Sequence, residues 1–227
     1  LEGEAGVWKL YGKGDVDAVL DGLGKKYLNA EISLKKFPSC AGNHCAIEGA
    51  SRIVHQNGLK PSDIKHARLI VTPFIEKITG QPFNPGDDPQ VDAQFNLYYS
   101  VASVLLRGHL KIEDIQPPAV FDPAVKPMIE RIEMVVDRSL NTKLSPVTVE
   151  IATQDGRTFR EQIRHLPGTP ESPLSADEVQ EKFAACTSLG VDPLEADRAR
   201  LLMDRVRGLE AVSDMRQFFD GIARNAA

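Results

Sequence analysis

Residues 147–164 constrain the fold most tightly. The segments 147–153 and 158–164 are strand-like, and Gln154-Asp155-Gly156-Arg157 stands between them with the residue types of a turn. Two strands joined so closely pair antiparallel. Segments 65–73 and 132–137 read as further strands. Segment 28–37 alternates apolar and polar positions and is expected as another, ended by Pro38.

Between these runs the apolar spacing changes to that of helices. Ala46, Ile47, Ala50, Ile53 and Val54 share one helical face, with Gly58 as a C-terminal stop. Asp88-Pro89 opens a second helix, expected to run to about Arg107. Phe95, Tyr98, Ala102 and Leu105 or Leu106 would be its apolar face, and Gly108 its end. Asp122-Pro123 repeats the start signal, but Pro127 conflicts with a regular helix and demands a kink or a late start. A Gly-rich loop and a short helix near 15–23 precede all of this. After His165 the Pro-rich segment 166–174 reads as a linker or an extended crossing. Beyond it Ser175-x-x-Glu178 is a capping box, Asp192-Pro193 starts another helix, and Ser213 a third. Together these predict an α+β fold: a two-layer domain with a mostly antiparallel sheet covered on one face, and helical segments on both sides. The final helices carry apolar stripes at 201–206 and 218–222, which suit a core or an oligomer contact.

Composition narrows the class. Hydrophobic residues are 42% and charged residues 26% of 227, the balance of a globular protein able to bury a core. No apolar run approaches the ~20 residues of a membrane span. The opening residues lack the basic-then-apolar pattern of a signal peptide. A net charge of −5 argues against nucleic acid as partner. Cys40, Cys45 and Cys186 make an odd count without a secretory signal, so reduced thiols in the cytoplasm are expected rather than a disulfide framework. The first residue is Leu1 rather than Met, which leads to the expectation of a fragment carrying part of a site.

The segment KKFPSCAGNHC, 35–45, is the candidate site. Lysines end one element, small residues and proline follow, and a helix begins near Asn43. Free N–H groups of a first helical turn carry partial positive charge, and Lys35 or Lys36 adds a full one. That combination suits a carboxylate. His44 could donate a hydrogen bond or move a proton near neutral pH. The alternative is a solvated lysine pair and a surface histidine. Cys40, His44 and Cys45 superficially suggest a metal site, but the remaining cysteine and histidines have no paired spacing, so small buried thiols and no metal are expected. The glycine pairs at 12/14 and 22/24 lack the setting of a nucleotide fingerprint. Of Tyr98 and Tyr99, one is expected in the core and one with its hydroxyl elsewhere.

Five segments in order resemble the MmgE/PrpD family: KKFPSCAGNHCAIEGA (35–50), AQFNLYYSVASVLLRG (93–108), FDPAVKPMIERIEMVVD (121–137), DGR (155–157) and LPGTPESPLSADEVQEKF (166–183). The resemblance implies a cofactor-independent lyase or isomerase acting on small polycarboxylic acids, of the 2-methylcitrate dehydratase kind. It implies a small α+β lid at residues 31–166, with 1–30 and 167–227 belonging to a discontinuous helical domain. Lys35 matches the family's active-site lysine, Cys40 a position that is Cys or His, His44 the histidine opening the next helix, and Tyr99 the tyrosine facing the site. His44 and Tyr99 are thereby catalytic candidates, and Lys35, Lys36, Cys40 and Gln94 substrate-binding ones. Gln94 stands where many members carry Lys or Arg, which removes a charge. The family's acid/base residues lie in an N-terminal helical portion absent from these residues, so no turnover is expected from this chain alone. The expected partners are that helical portion, a polycarboxylate and a second copy in a homodimer. A non-catalytic anion-binding or oligomerisation module is the alternative.

Overall fold

The structure is a computed structural model, and it describes residues 3–4, 6–12, 14–27 and 32–219. The chain forms two compact units, 1–33 and 34–227. In the first, two one-turn helices are described, α1 (Val7–Tyr11) and α2 (Val16–Leu20). Asp15 caps α2, its carboxylate accepting from the amides of Asp17 at 3.0 Å and Ala18 at 3.3 Å.

The second unit is built on a four-stranded sheet of β1 (Ile64–Val71), β2 (Ile132–Val136), β3 (Val147–Thr153) and β4 (Thr158–Ile163), in the order β2-β1-β3-β4. The β3–β4 hairpin pairs Val149 with Glu161, and β1 runs antiparallel to β3 with Leu69 opposite Val149. β2 pairs parallel to β1, Ala67 opposite Ile132, because a long helical crossing separates them. The fold class is therefore α+β with a mostly antiparallel sheet. One face buries Ala67, Leu69, Val71, Val147, Val149 and Ile151. The other carries Arg68, Glu133, Glu150 and Arg160 as ion pairs across strands at 3.3 to 3.7 Å. Such solvated pairs contribute little stability, so the sheet is held by its apolar face.

The described part of segment 28–37 is not a strand; residues 28–31 lie outside the described residues. In place of a sheet ladder, the Phe37 carbonyl accepts from the Ser39 amide at 2.8 Å and the Leu34 amide donates to the Gly168 carbonyl at 2.9 Å. Gly168 is required there. Its φ is +89°, and a Cβ would sit 1.8 Å from the Leu34 oxygen.

Helix α3 (Ala41–Asn57) packs on β3 and β4. Residues 42–50 are buried all round, which only a helix enclosed in the core permits. Gly49 allows the approach: a Cβ there would meet Val149 Cγ2 at 2.8 Å. Gly58, at φ +59°, ends α3, and the Leu59 amide returns to the Val54 carbonyl at 3.0 Å.

After α4 (Pro73–Thr79) the expected long helix is two helices, α5 (Pro89–Gln94) and α6 (Leu97–Arg107). Asn96 breaks them apart, its side-chain oxygen accepting from the Tyr99 amide at 2.9 Å as the cap of α6. Phe95 consequently falls outside both helices, 53% exposed rather than in an apolar face. α6 packs on α3 and on the later helix Val125–Ile129, and its Leu97, Val101, Ala102, Val104 and Leu105 are all buried. α7 (Pro117–Val120) precedes α8 (Val125–Ile129), where the conflict at Pro127 is resolved by a late start. Pro127 sits in the first turn, where its missing amide costs nothing.

α9 (Ala176–Ser188) begins with the expected capping box of Ser175 and Glu178 and packs against α10 (Ala196–Arg207). α10 starts at Ala196, three residues after Pro193, with Glu195 at the N-cap position making no side-chain cap bond. The third start gives a short 3-10 turn, Met215–Phe219. On α10 Ala199 and Met203 are buried, while Leu201 and Val206 are exposed. The stripe at 218–222 lies largely outside the described residues. Among the described residues no helix is long and apolar enough to cross a membrane.

Candidate functional site

The segment 35–40 enters α3 under tight control. Pro38 disfavours helix at Phe37, the residue before it, and α3 begins at Ala41, two residues ahead of the expected start near Asn43, with Cys40 as its N-cap residue. Ser39 is buried, and its carbonyl receives two donors, Lys35 Nζ at 3.3 Å and His44 Nε2 at 3.3 Å. Lys35 is exposed, and among the described residues it makes no ion pair. Its ammonium therefore stands at the entrance to α3, whose first-turn amides add partial positive charge.

His44 is 1% exposed, not a surface residue. A carbonyl only accepts, so Nε2 carries the proton and Nδ1 is bare; Nδ1 is buried without a partner. Burial pushes the His44 pKa down to about 4; the backbone of Ser39 and, more weakly, of Phe37 opposes this, and the charges of Lys35 and Lys182 reinforce it. The ring is neutral at pH 7 and cannot anchor an anion as a cation. Phe37 packs edge-on to it at 5.4 Å.

Lys36 is committed elsewhere. Its Nζ lies 2.8 Å from Glu48 on α3 and 2.7 Å from Glu178 on α9, and Glu48 also accepts from Arg52 at 2.8 Å. Burial acts to lower the Lys36 pKa, but hydrogen bonds to Glu178 and Glu48 outweigh it and hold it raised. With two carboxylates in contact, Lys36 offers no free charge to a substrate, in contrast to its reading as a binding residue.

Gln94 enters through its backbone. As the last residue of α5 its carbonyl would lack a helical partner. It accepts instead from the Cys40 amide at 2.9 Å, Ser39 Oγ at 2.9 Å and Asn43 Nδ2 at 3.2 Å. Its role here does not depend on its side chain. Cys40 is half-buried at this junction. Cys45 is fully buried, and burial pushes its thiol up to about 12, leaving it unreactive.

Tyr99 does not join the cluster. It is fully buried, its ring 4.8 Å from Phe83, and its hydroxyl donates to the Asp114 carbonyl. Burial raises its pKa. Of the two tyrosines this is the core one. Tyr98 is half-buried and lines a cavity of about 630 Å³ with Phe83, Phe121 and Lys126. Among the described residues no three His, Cys, Asp or Glu side chains converge to hold a metal.

The structure thus gathers Lys35, Cys40, His44 and the Gln94 backbone around Ser39. Sequence reasoning missed Ser39, Asn43 and Ser100. The available signal was the spacing of Ser39 and Asn43, four apart across the helix start, which suits a side-chain contact.

Comparison with known proteins completes the description. Residues 37–207 match the family model described as the MmgE/PrpD C-terminal domain. The chain is 22% identical over 190 residues to human cis-aconitate decarboxylase, covering 81% of this chain and 38% of that protein. The mouse cis-aconitate decarboxylase is 22% identical over 191 residues, with the same 81% and 38% coverage. The chain thus spans about two fifths of the length of these curated relatives.

Proposed function

The chain belongs to the MmgE/PrpD family, and from that premise we propose that it supplies the substrate-holding lid of a cofactor-independent lyase or isomerase for small polycarboxylic acids. The observation behind the proposal is the placement of the Lys35 ammonium on the Ser39 carbonyl at the start of α3. A cation is thereby held beside the amide dipoles of the α3 first turn, an arrangement suited to a carboxylate. Removal of a proton next to a carboxylate builds negative charge, which preorganised positive groups stabilise. Lys35 and the α3 N-terminus would meet that charge and orient the substrate. His44, neutral and bonded to Ser39, would support the lysine's anchor instead of exchanging protons. The general acid and base would come from a helical domain beyond these 227 residues, so the chain alone would bind without turnover. Dehydration, of the 2-methylcitrate kind, is the reaction we assign first. The cis-aconitate decarboxylases among the relatives keep decarboxylation as the direct competitor.

Calorimetric titration of this chain with citrate, 2-methylcitrate, cis-aconitate and tricarballylate tests the proposal. Weak binding that disappears in Lys35→Ala is expected. Binding that survives in Lys35→Ala, or no binding to the unaltered chain, rejects residues 35–44 as a substrate-holding site.

A further inference from the structure

Behind the Lys35–Ser39 contact lies a buried polar knot. Asn43 is fully buried at the third position of α3, and its Nδ2 lies 2.8 Å from Ser39 Oγ, 3.1 Å from Ser100 Oγ and 3.2 Å from the Gln94 carbonyl. Ser39 Oγ lies 2.9 Å from the same carbonyl and 3.2 Å from Ser100 Oγ. Ser39, Asn43 and Ser100 are all at most 5% exposed.

The proton positions follow from the chemistry. The Gln94 carbonyl can only accept, so the Asn43 amide presents its nitrogen to it, and the Ser39 hydroxyl is placed to donate to it as well. Ser39 Oγ receives from Asn43, and between the Ser39 and Ser100 hydroxyls either can donate. This orientation of the amide leaves Asn43 Oδ1 buried without a partner. An unpaired buried acceptor is costly, and natural cores rarely keep one without a compensating role.

The knot joins three pieces distant in sequence: the segment before α3, the end of α5 and the middle of α6. None of its atoms is the group proposed to meet substrate. Its output is the position of the Ser39 backbone, on whose carbonyl Lys35 Nζ and His44 Nε2 converge. We infer that Ser39 and Asn43 are positioning residues, which fix the Lys35 ammonium and the His44 tautomer through the Ser39 carbonyl and the Gln94 anchor. This rests on the site assignment made above, and it extends it to residues that touch no substrate.

The test compares Ser39→Ala and Asn43→Ala with Val149→Ala, a control that loosens the core away from the site, all in a Cys186→Ser chain. Nitrogen-15 spectra of the histidine rings at neutral pH report the His44 tautomer. The parent and the Val149→Ala control should show the Nε2–H form alone, and the two knot variants a mixture. Iodoacetamide should alkylate Cys40 roughly tenfold faster in the knot variants than in the control, because each loses a buried hydrogen bond to the Gln94 carbonyl, the acceptor on which the Cys40 amide also rests. Citrate affinity should fall roughly tenfold in Ser39→Ala and not in Val149→Ala. Ser39→Ala keeps the knot question answerable if Asn43→Ala does not fold. A single tautomer and control-like alkylation in Ser39→Ala would overturn the inference, as would citrate affinity equal to that of a citrate-binding parent. If the parent binds no citrate, the functional assignment falls, and the ring and thiol measurements still decide the positioning role.

Discussion

Lys36 Nζ lies 2.7 Å from Glu178 Oε1, so the segment leading into α3 is tied to the first turn of α9, 142 positions later in the chain. Glu178 serves twice, since its other oxygen accepts from the Ser175 amide at 2.8 Å as half of the capping box. The lysine hydrogen bond is the first cause holding the Glu178 carboxyl below its ordinary range. Glu178→Ala removes both functions and is expected to destabilise the chain by ~1–2 kcal/mol, more than an exposed ion pair alone would. Urea unfolding of Glu178→Ala beside Lys36→Met checks this. A Lys36→Met chain as stable as the parent would show that the pair holds nothing in place.

Stability should depend on His44 between about pH 6.5 and about pH 4. The folded pKa, about 4, lies below the ordinary 6.5, so as pH falls the unfolded chain takes the proton first. The contribution is complete above the ordinary value and is lost as pH drops toward the folded one, roughly 3 kcal/mol in all. Denaturant curves at about pH 7 and about pH 4.5, for the parent and His44→Gln, measure it. The parent should lose more over that interval; parallel losses would mean that the ring titrates normally.

Gly49→Ala should cost ~1–3 kcal/mol by forcing α3 away from β3, since its Cβ would meet Val149 Cγ2 at 2.8 Å. Val149→Ala removes that methyl group. The double variant should therefore be less destabilised than the sum of the two singles, which thermal unfolding of all four chains would reveal. Strict additivity would place the strain elsewhere.

Tyr99→Phe removes a hydroxyl that donates to the Asp114 carbonyl in the core. The expected effect is a loss of ~1 kcal/mol in stability with citrate affinity unchanged. Unchanged stability together with a large loss of affinity would return Tyr99 to the substrate side.

Much of the secondary structure was legible because its causes are local. The 154–157 turn, the Asp88 cap, the 175–178 capping box and the stop at Gly58 each act within a few residues, and each appears where the sequence placed it. The exceptions are also physical. Asn96 was hidden within an apolar pattern that continues across it, and the break became visible only through its side-chain bond to the Tyr99 amide.

The sequence by itself determined the α+β class, the start of α3 behind Pro38, and the charge of the segment 35–45. Those follow from periodicity, backbone sterics and composition, which need no distant partner. Only the tertiary structure decided what each charge and hydroxyl does. Lys35 and Lys36 are adjacent and chemically identical, yet one donates to the Ser39 carbonyl just before α3 and the other is clasped by Glu48 and Glu178. Tyr98 and Tyr99 are divided in the same way, one lining a cavity and the other bonded in the core. The division is made by groups from α5, α6 and α9, whose approach to residues 35–44 depends on packing across the whole unit.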